Sequence, residues 1–349
     1  MNHSPLSIRA MTNANHWNDF LLALRPNTFL QSWEWGQLQK QSGEGIRYLG
    51  FFAGDEQIGA ALLITVNAKR GRHLFCPHGP LFATDLAARQ HLPAFVDHCR
   101  SLARQDKAVA LRLAPLLLTN TANVPAFKNL GFRPAPLHVH AERTWNLDIT
   151  PSGDELLLNM RKTTRHAIKK AERMSVKTDI VSGSRIVNRF LPLYHATETR
   201  HHFVPFTSEF LTRQIGIFSQ HNNAYAVFAS HQGRDIAAAI LIQFGPTVFY
   251  HHGASLKQKN QPSASHLVQW AAIKEAKRRG ATRYNFWGIV PKRSHRAARN
   301  PHPFAGITVF KQGFGGYALD YMHAQDLPLS PLYYQLWLVE TIRKFRRGF

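Results

Sequence analysis

The 349-residue chain is 44% hydrophobic and 11% aromatic, which is enough apolar material for two buried cores, and no apolar run approaches the length of a membrane span. Its 43 Lys and Arg residues outnumber 21 Asp and Glu, and the net charge of +22 indicates either a polyanionic partner or a contribution to solubility alone. Two cysteines exclude a disulfide framework and a cysteine-rich metal cluster, and without a secretory signal the expected location is the cytoplasm.

A strand–turn–strand pattern occurs twice along the chain, first over Phe51 to Ile64 and again over Val227 to Ile242. Each copy is followed by a third predicted strand, a long helix and another strand. In the first copy these elements cover Arg72 to Cys76, Leu86 to Arg104 and Ala108 to Leu113. In the second copy they cover Val248 to His252, Ser263 to Arg279 and Thr282 to Trp287. Both copies then reach a Phe-Lys helix followed by glycine, at Phe127-Lys128 and at Phe310-Lys311. Similar motifs in the same order indicate a duplicated unit.

The element order in each copy is that of the GNAT acyltransferase fold. We therefore predict an α/β (α+β) protein with two tandem GNAT-like domains, at residues 1–150 and 151–325, and a C-terminal helix at 329–346 that packs back on the first domain. GNAT acetyltransferases hold the pyrophosphate of coenzyme A on a glycine-rich turn at a helix N-terminus. The equivalent loops, Cys76 to Pro80 and Ser255 to Ala264, lack that turn, so coenzyme A is disfavoured and no cofactor is predicted.

Several segments resemble, in order and spacing, the FemABX family of peptidoglycan-bridge aminoacyltransferases. They are Gln31 to Lys40, the basic stretch Leu158 to Arg173, Tyr250 to Ser255, Pro262 to Trp270, Tyr284 to Gly288 and Thr308 to Phe314. The resemblance runs over most of the chain and implies transfer of an amino acid from aminoacyl-tRNA, as co-substrate, to an amine of a peptidoglycan precursor stem peptide. The acceptor is either a UDP-linked or a lipid-linked muropeptide. No charged heptad segment is present, so the implied subgroup has no coiled-coil arm.

The resemblance places the transfer chemistry in the second copy. Lys311 matches the family's functional lysine, whose ammonium would meet the terminal phosphate or the ester carbonyl, and Phe310 would stack on the terminal adenine. The alternative is that Phe310 is a core residue and Lys311 a solvated one, which the parallel Phe127-Lys128 favours. Because the ester is already activated, positioning and electrostatics can supply most of the catalysis.

The residues expected to bind substrate are Trp35, Gln39, Lys40, Arg200, Phe206, Phe210, Tyr250 and His252. Strand alternation predicts that Tyr250 and His252 point to the same side. His252 is then either a proton acceptor near neutral pH or a hydrogen-bonded structural residue. Metal binding is not expected, because the adjacent pairs His201-His202 and His251-His252 lack ligand spacing.

Two departures from the family pattern concern the acceptor. Phe206 and Phe210 stand where armless relatives present Arg and Tyr, so either the acceptor differs or Arg200, His201 and His202 bind its phosphates. Ala114 stands where relatives often carry an acidic residue, which removes a carboxylate base from that position.

The expected tRNA contacts are the basic residues Arg161, Arg165, Lys169, Lys292, Arg293 and Arg296. The alternative is a solvated basic face without a partner. The C-terminal stretch Leu332 to Arg347 mixes aromatic, apolar and basic residues, so it either packs on the first domain or touches an anionic membrane at the inner face. A monomer is expected. Two other functions stay open, namely a GNAT-like N-acyltransferase of another cell-envelope precursor and a noncatalytic tRNA-binding protein.

Overall fold

The computed structural model describes residues 6–68, 71–137, 139–201, 204–256, 264–291 and 304–347. The chain divides into two compact units, one of residues 1–143, 291–302 and 319–349 and the other of residues 144–290 and 303–318. The division thus falls before the predicted boundary at residue 150, and residues 319–325 lie in the first unit rather than the second. The reason is hydrogen bonding to residues of the first unit, since the N–H of Tyr321 donates to the carbonyl of Glu142 and the N–H of Met322 donates to the carbonyl of Leu117.

The first unit contains one sheet, whose strands are β1 (Leu6–Ala10), β2 (Gly45–Ala53), β3 (Glu56–Ala68), β4 (Gly71–Pro77), β5 (Leu81–Phe82), β6 (Ala110–Ala114), β7 (Arg133–Pro134) and β15 (Gln325–Pro328). Their order is β1-β2-β3-β4-β6-β15-β7, with β5 paired to β3, and the neighbours β4 and β6 are parallel. Its helices are α1 (Ala14–Ala23), α2 (Trp33–Gln41), α3 (Asp85–Asp106), α4 (Asn123–Asn129) and α11 (Tyr333–Arg347).

Helix α3 covers the core of this sheet. The hydroxyl of Thr84 caps its N-terminus by accepting from the N–H of Ala87, and Lys107 ends it in the left-handed conformation. Its apolar face, with Leu92, Phe95 and Cys99 fully buried, packs against the inner residues of β2, β3 and β6.

The C-terminal segment is held in the first unit by pairing and by charge. Strand β15 pairs antiparallel with β6, and Tyr333 and Leu336 of α11 pack on Val109 and Ala110. Arg112 of β6 lies beneath them and donates to two buried carboxylates, at 2.6 and 2.7 Å to Asp326 and at 2.7 Å to Glu340. The helix begins at Tyr333 and not at residue 329 as predicted.

The sheet of the second unit has the strands β8 (Arg143–Asp148), β9 (Lys177–Ser182), β10 (Ala224–His231), β11 (Arg234–Phe244), β12 (Thr247–Ser255), β13 (Arg283–Gly288) and β14 (Tyr317–Asp320). Their order is β14-β8-β13-β12-β11-β10-β9, and β12 and β13 are parallel. Its helices are α5 (Gly153–Asn159), α6 (Lys162–Arg173), α7 (Arg185–His201), α8 (Ser208–Ser219), α9 (Ser265–Arg278) and α10 (Ala305–Gln312). Helix α9 packs on the face of the sheet that carries Ala237, Ala239 and Leu241.

The basic stretch predicted as one element is divided between two helices. Met160 has extended backbone angles and a buried side chain, so α5 ends before it and α6 begins at Lys162. The inner face of α6 buries Thr164, Ile168 and Ala171, while most of its cations are exposed. The break therefore lets Met160 reach the core and turns the basic face outward.

Candidate functional site

The central strands of the second unit separate before they end. Parallel pairing of β12 with β13 runs from Thr247 opposite Arg283 to Phe249 opposite Asn285, although β12 continues to Ser255 and β13 to Gly288. In the first unit, the equivalent pair β4 and β6 stays matched to the last residue of each strand. Crevices at the carboxyl ends of parallel strands are the usual ligand sites of such sheets. The two central strands therefore diverge in the second copy at the edge where those of the first copy stay paired.

The end of β13 carries an unusual backbone. The register against β8 shifts between Asn285 and Gly288, and Trp287 within this bulge has a φ of 66°. A bulky residue in the left-handed region costs on the order of 1–3 kcal/mol, and such outliers concentrate at functional sites. The side chain of Asn285 stabilises the turn by accepting from the N–H of Trp287 at 2.7 Å.

Lys311 of α10 reaches this corner. Its Nζ donates to the carbonyl oxygen of Gly288 at 2.5 Å and lies 5.9 Å from the ring centroid of Tyr250. The side chain is only 5% exposed, and burial lowers the pKa of its ammonium to about 7. Burial also raises the pKa of the Tyr250 hydroxyl to about 12, so that group stays protonated. Lys311 can therefore take or give a proton near neutral pH.

The two Phe-Lys pairs differ in burial, although their sequences match. Phe127 is 1% exposed and Lys128 is exposed, which is the solvated-lysine arrangement considered as the alternative for the second copy. In α10 the lysine is buried and Phe310 is half-buried. The exposure of Lys128 in the first copy is therefore no reason to regard Lys311 as a solvated scaffold residue.

Phe310 packs beside a histidine that sequence reasoning missed. The ring centroids of Phe310 and His266 are 4.8 Å apart, and Phe314 lies 5.8 Å from the same histidine. The Nδ1 atom of His266 is buried and makes no hydrogen bond within the described part of the chain, and burial lowers the pKa of the ring. The sequence could have pointed to His266, because this residue lies in the first turn of α9, within a segment that carries the family resemblance.

Tyr250 and His252 do not point together, and that prediction is wrong. The register of β12 against β11 shifts because Ile240 opposes His252 whereas Leu241 opposes Tyr250, which leaves His251 as an extra residue. Tyr250 consequently packs with the core beneath α9, while the ring of His252 lies against Phe190 and Tyr194 of α7. An inserted residue reverses the alternation on which the prediction relied.

The side chain of Gln214 holds the two histidines. Its amide nitrogen lies 2.9 Å from Nε2 of His251, and its oxygen lies 2.8 Å from Nε2 of His252. This arrangement makes His252 a donor through Nε2 and His251 an acceptor. Burial lowers the pKa of His252 to about 3, so a role as proton acceptor near neutral pH is not supported.

The side of the sheet that His252 faces, opposite α9, also has Phe206, Phe210 and Arg200. The two phenylalanine rings are stacked 4.8 Å apart, Phe206 is 48% exposed, and its ring stands 5.4 Å from that of His252. The guanidinium of Arg200 donates to the carbonyl of Ser255 at 2.8 Å. The structure thus brings an exposed phenylalanine, a half-buried one and a cation to the end of β12. The predicted phosphate contact of His202 lies outside the described residues, as does the side chain of His201.

The tRNA candidates have different surroundings. Arg161 and Lys169 are exposed, and the backbone N–H of Arg161 donates to Gly313 at the end of α10. Arg165 instead turns back on α5, where its Nη1 donates to the carbonyls of Leu158, at 2.9 Å, and Met160. These hydrogen bonds give Arg165 a structural role, and its predicted contact with tRNA stays a prediction. The other three predicted contacts, Lys292, Arg293 and Arg296, lie outside the described residues.

The candidates of the first unit lie on α2. Trp35 is buried, with its ring 5.5 Å from Phe29, whereas Gln39 is half-buried and Lys40 is exposed. Ala114 is buried at the end of β6. Among the residues described, no cluster of three or more His, Cys, Asp or Glu has an arrangement suited to a metal ion, and no helix has the length and hydropathy required to span a membrane.

Comparisons with known proteins agree with this architecture. A model of the FemAB family matches residues 12–232 and 218–341. The lipid II:glycine glycyltransferase of Staphylococcus aureus (strain USA300) is 21% identical over 401 residues, which cover 93% of this chain and 94% of that protein. The crystal structure of FemX superposes with a TM-score of 0.82 at 18% identity, over 95% of this chain and 99% of that one. A tandem GNAT protein from the clavulanic acid biosynthesis pathway superposes with a TM-score of 0.54 at 11% identity, over 94% and 99% of the two chains. The prediction of two tandem GNAT-like domains is confirmed.

Proposed function

The chain belongs to the FemAB family, and from this premise we propose that it is an aminoacyltransferase that moves an amino acid from aminoacyl-tRNA to an amine of a peptidoglycan precursor stem peptide. The observation that carries the proposal is the buried Nζ of Lys311, held against the carbonyl of Gly288 where β12 and β13 separate. The name of the Staphylococcus aureus relative, a lipid II:glycine glycyltransferase, favours a lipid-linked acceptor and a cross-bridge product.

The chemistry requires two proton movements. The acceptor nitrogen bonds to the ester carbonyl carbon, the bond from that carbon to the ribose oxygen breaks, the nitrogen loses a proton and the ribose oxygen gains one. A lysine with a pKa of about 7 is matched to this task, because its ammonium can stabilise the oxyanion and protonate the leaving oxygen. The resulting neutral amine can then accept the proton from the attacking nitrogen.

Two features support tRNA as the donor. Helix α6 presents exposed cations, and Arg161, the residue before it, is bonded to the helix that carries Lys311 and to the residue that ends it: its guanidinium donates to Val309 at 3.3 Å and its N–H to Gly313 at 2.9 Å. Phosphate contacts from such a helix would bring the aminoacylated end towards α10. The half-buried ring of Phe310 offers a surface for the terminal adenine.

The decisive experiment measures transfer of radiolabelled amino acids from a pool of charged tRNAs to lipid II and to the UDP-linked precursor. We expect RNase-sensitive label in one acceptor, and Lys311→Ala to lower the rate by at least about 100-fold, the usual cost of losing one oxyanion-stabilising donor. Lys128→Ala is the matched control, because it removes an exposed lysine from the equivalent helix of the first unit.

Three outcomes would contradict the proposal. Equal rates for the Lys311→Ala and Lys128→Ala variants would remove Lys311 from the mechanism. Label transferred from an acyl-CoA without tRNA would indicate a GNAT-like N-acyltransferase of another envelope precursor. Tight binding of tRNA irrespective of aminoacylation, with no transfer to either acceptor, would indicate a noncatalytic RNA-binding protein.

A further inference from the structure

Helix α11 has one buried and one exposed apolar side. Tyr333, Leu336 and Glu340 face the first unit and are at most 1% exposed. Five large apolar side chains on the rest of the helix are open to solvent, namely Tyr334 (54% exposed), Trp337 (39%), Leu338 (55%), Val339 (36%) and Ile342 (44%). Trp337 is the most exposed of the seven tryptophans, all of which lie in the described part of the chain. We call Tyr334, Trp337, Leu338 and Ile342 the outer face of α11.

The outer face is an apolar surface interrupted by Thr341, whose hydroxyl donates to the carbonyl of Trp337. At 3.6 residues per turn, Trp337, Tyr334, Leu338 and Ile342 fall within an arc of roughly 140°, turned away from the buried side chains. An amphipathic helix of a globular protein normally directs one apolar stripe to the core and presents polar residues opposite to it. Here a second apolar stripe remains exposed, and exposed patches of this kind mark interaction sites.

The charged side chains that α11 exposes are cations. At 3.6 residues per turn Lys344 falls beside Trp337, whereas Arg343 falls on the side of the helix opposite Tyr334. The guanidinium of Arg133 lies 5.6 Å from the ring centroid of Tyr334. Glu340 is the only acidic residue of α11, and its carboxylate is buried against Arg112. The exposed side of the helix therefore presents apolar, aromatic and cationic groups without an exposed carboxylate of its own.

We propose that the outer face of α11 docks on an anionic membrane surface, with the helix lying in the plane of the headgroups. Trp and Tyr side chains are suited to this boundary because they combine an apolar ring with a polar atom. Cations beside the apolar arc complement acidic headgroups and strengthen binding to such a surface. This inference goes beyond the proposed function, because binding to lipid would occur with or without the transfer reaction.

The test is sedimentation of the full chain with vesicles of phosphatidylglycerol and phosphatidylcholine, compared with vesicles of phosphatidylcholine alone. We expect binding to the anionic vesicles and a blue shift of tryptophan fluorescence, which Trp337→Phe removes. The triple variant Trp337→Ser/Leu338→Gln/Ile342→Gln should partition at least about tenfold more weakly, because it loses the apolar contacts. All three residues are exposed, so the fold should be retained.

The matched control is Leu86→Gln in α3, because Leu86 is 56% exposed and lies outside the outer face. It should bind anionic vesicles as the parent does. Equal binding by the triple variant, abolished by salt, would assign the interaction to the general positive charge and overturn the proposal. Self-association of the parent that the triple variant abolishes, with no binding to vesicles, would assign the outer face to a second copy of the chain instead.

Discussion

Lys311 is a lysine whose burial should be visible in the stability of the protein. Its pKa is about 7 when folded and 10.5 when solvated, so between these values the unfolded chain binds a proton that the folded chain does not. The free energy of unfolding should therefore rise with pH across this window, by up to about 1.4 kcal/mol per pH unit, relative to Lys311→Met. Urea denaturation of both proteins from pH 7 to pH 10 measures the difference. A difference that does not change with pH would mean that the ammonium stays charged in the folded state.

Gly253 is a residue on which the position of Tyr250 depends. A Cβ atom at Gly253 would lie 1.7 Å from the Tyr250 hydroxyl oxygen, so Gly253→Ala must displace the ring that faces Lys311. Displacements of about 1 Å at a reacting centre can cost roughly 100-fold, and we expect kcat to fall by about 10- to 100-fold. Steady-state transfer kinetics provide the measurement.

Gly216→Ala is the control for this change. Gly216 lies in α8 with open space where a Cβ atom would stand, so alanine should leave kcat unchanged and raise helix stability by up to about 1 kcal/mol. If Gly253→Ala transfers as fast as Gly216→Ala, the ring of Tyr250 does not contribute to the reaction.

At the scale of elements, Arg165 determines how α5 meets α6. Its guanidinium donates to the carbonyls that end α5, which would otherwise lack an intrahelical partner. We expect Arg165→Met to lower the free energy of unfolding by about 1–3 kcal/mol, whereas Lys169→Met, which removes an exposed cation from the same helix, should change it by less than about 0.5 kcal/mol. Urea denaturation measures both. An unchanged stability of Arg165→Met with weakened tRNA binding would contradict the structural role and favour the tRNA contact that the sequence predicted.

At the scale of the whole molecule, one buried ion cluster joins distant parts of the chain. Arg112 on β6 bonds Asp326 on β15 and Glu340 on α11, and all three side chains are nearly inaccessible. Arg112→Met removes the cation that two buried carboxylates share and should destabilise the first unit by about 3–5 kcal/mol. The triple change Arg112→Met/Asp326→Leu/Glu340→Leu should recover most of that loss, because the charges are removed together. Calorimetry would measure the unfolding of the first unit, and equal destabilisation by the single and triple variants would contradict the argument.

The order of strands and helices could be predicted because it depends on local patterns. Alternating and continuous apolar runs, the turn residues and the repeat at Phe51 and Val227 are properties of neighbouring residues, and they led to two GNAT-like domains. The family could also be predicted, because short motifs such as those around Trp35 and Lys311 keep their order along the chain.

The details of the site depended on long-range packing. An extra residue at His251 reverses the direction of Tyr250 relative to His252, and a break at Met160 separates α5 from α6. Burial gives Lys311 and Lys128 different surroundings in matching motifs. None of these features has a local signature, because a bulge, a strand separation and a buried charge are stabilised by contacts with segments far away in the sequence. The amino-acid pattern thus specified which elements form and in which order, while tertiary packing decided which side chains meet where β12 and β13 separate and what their pKa values are.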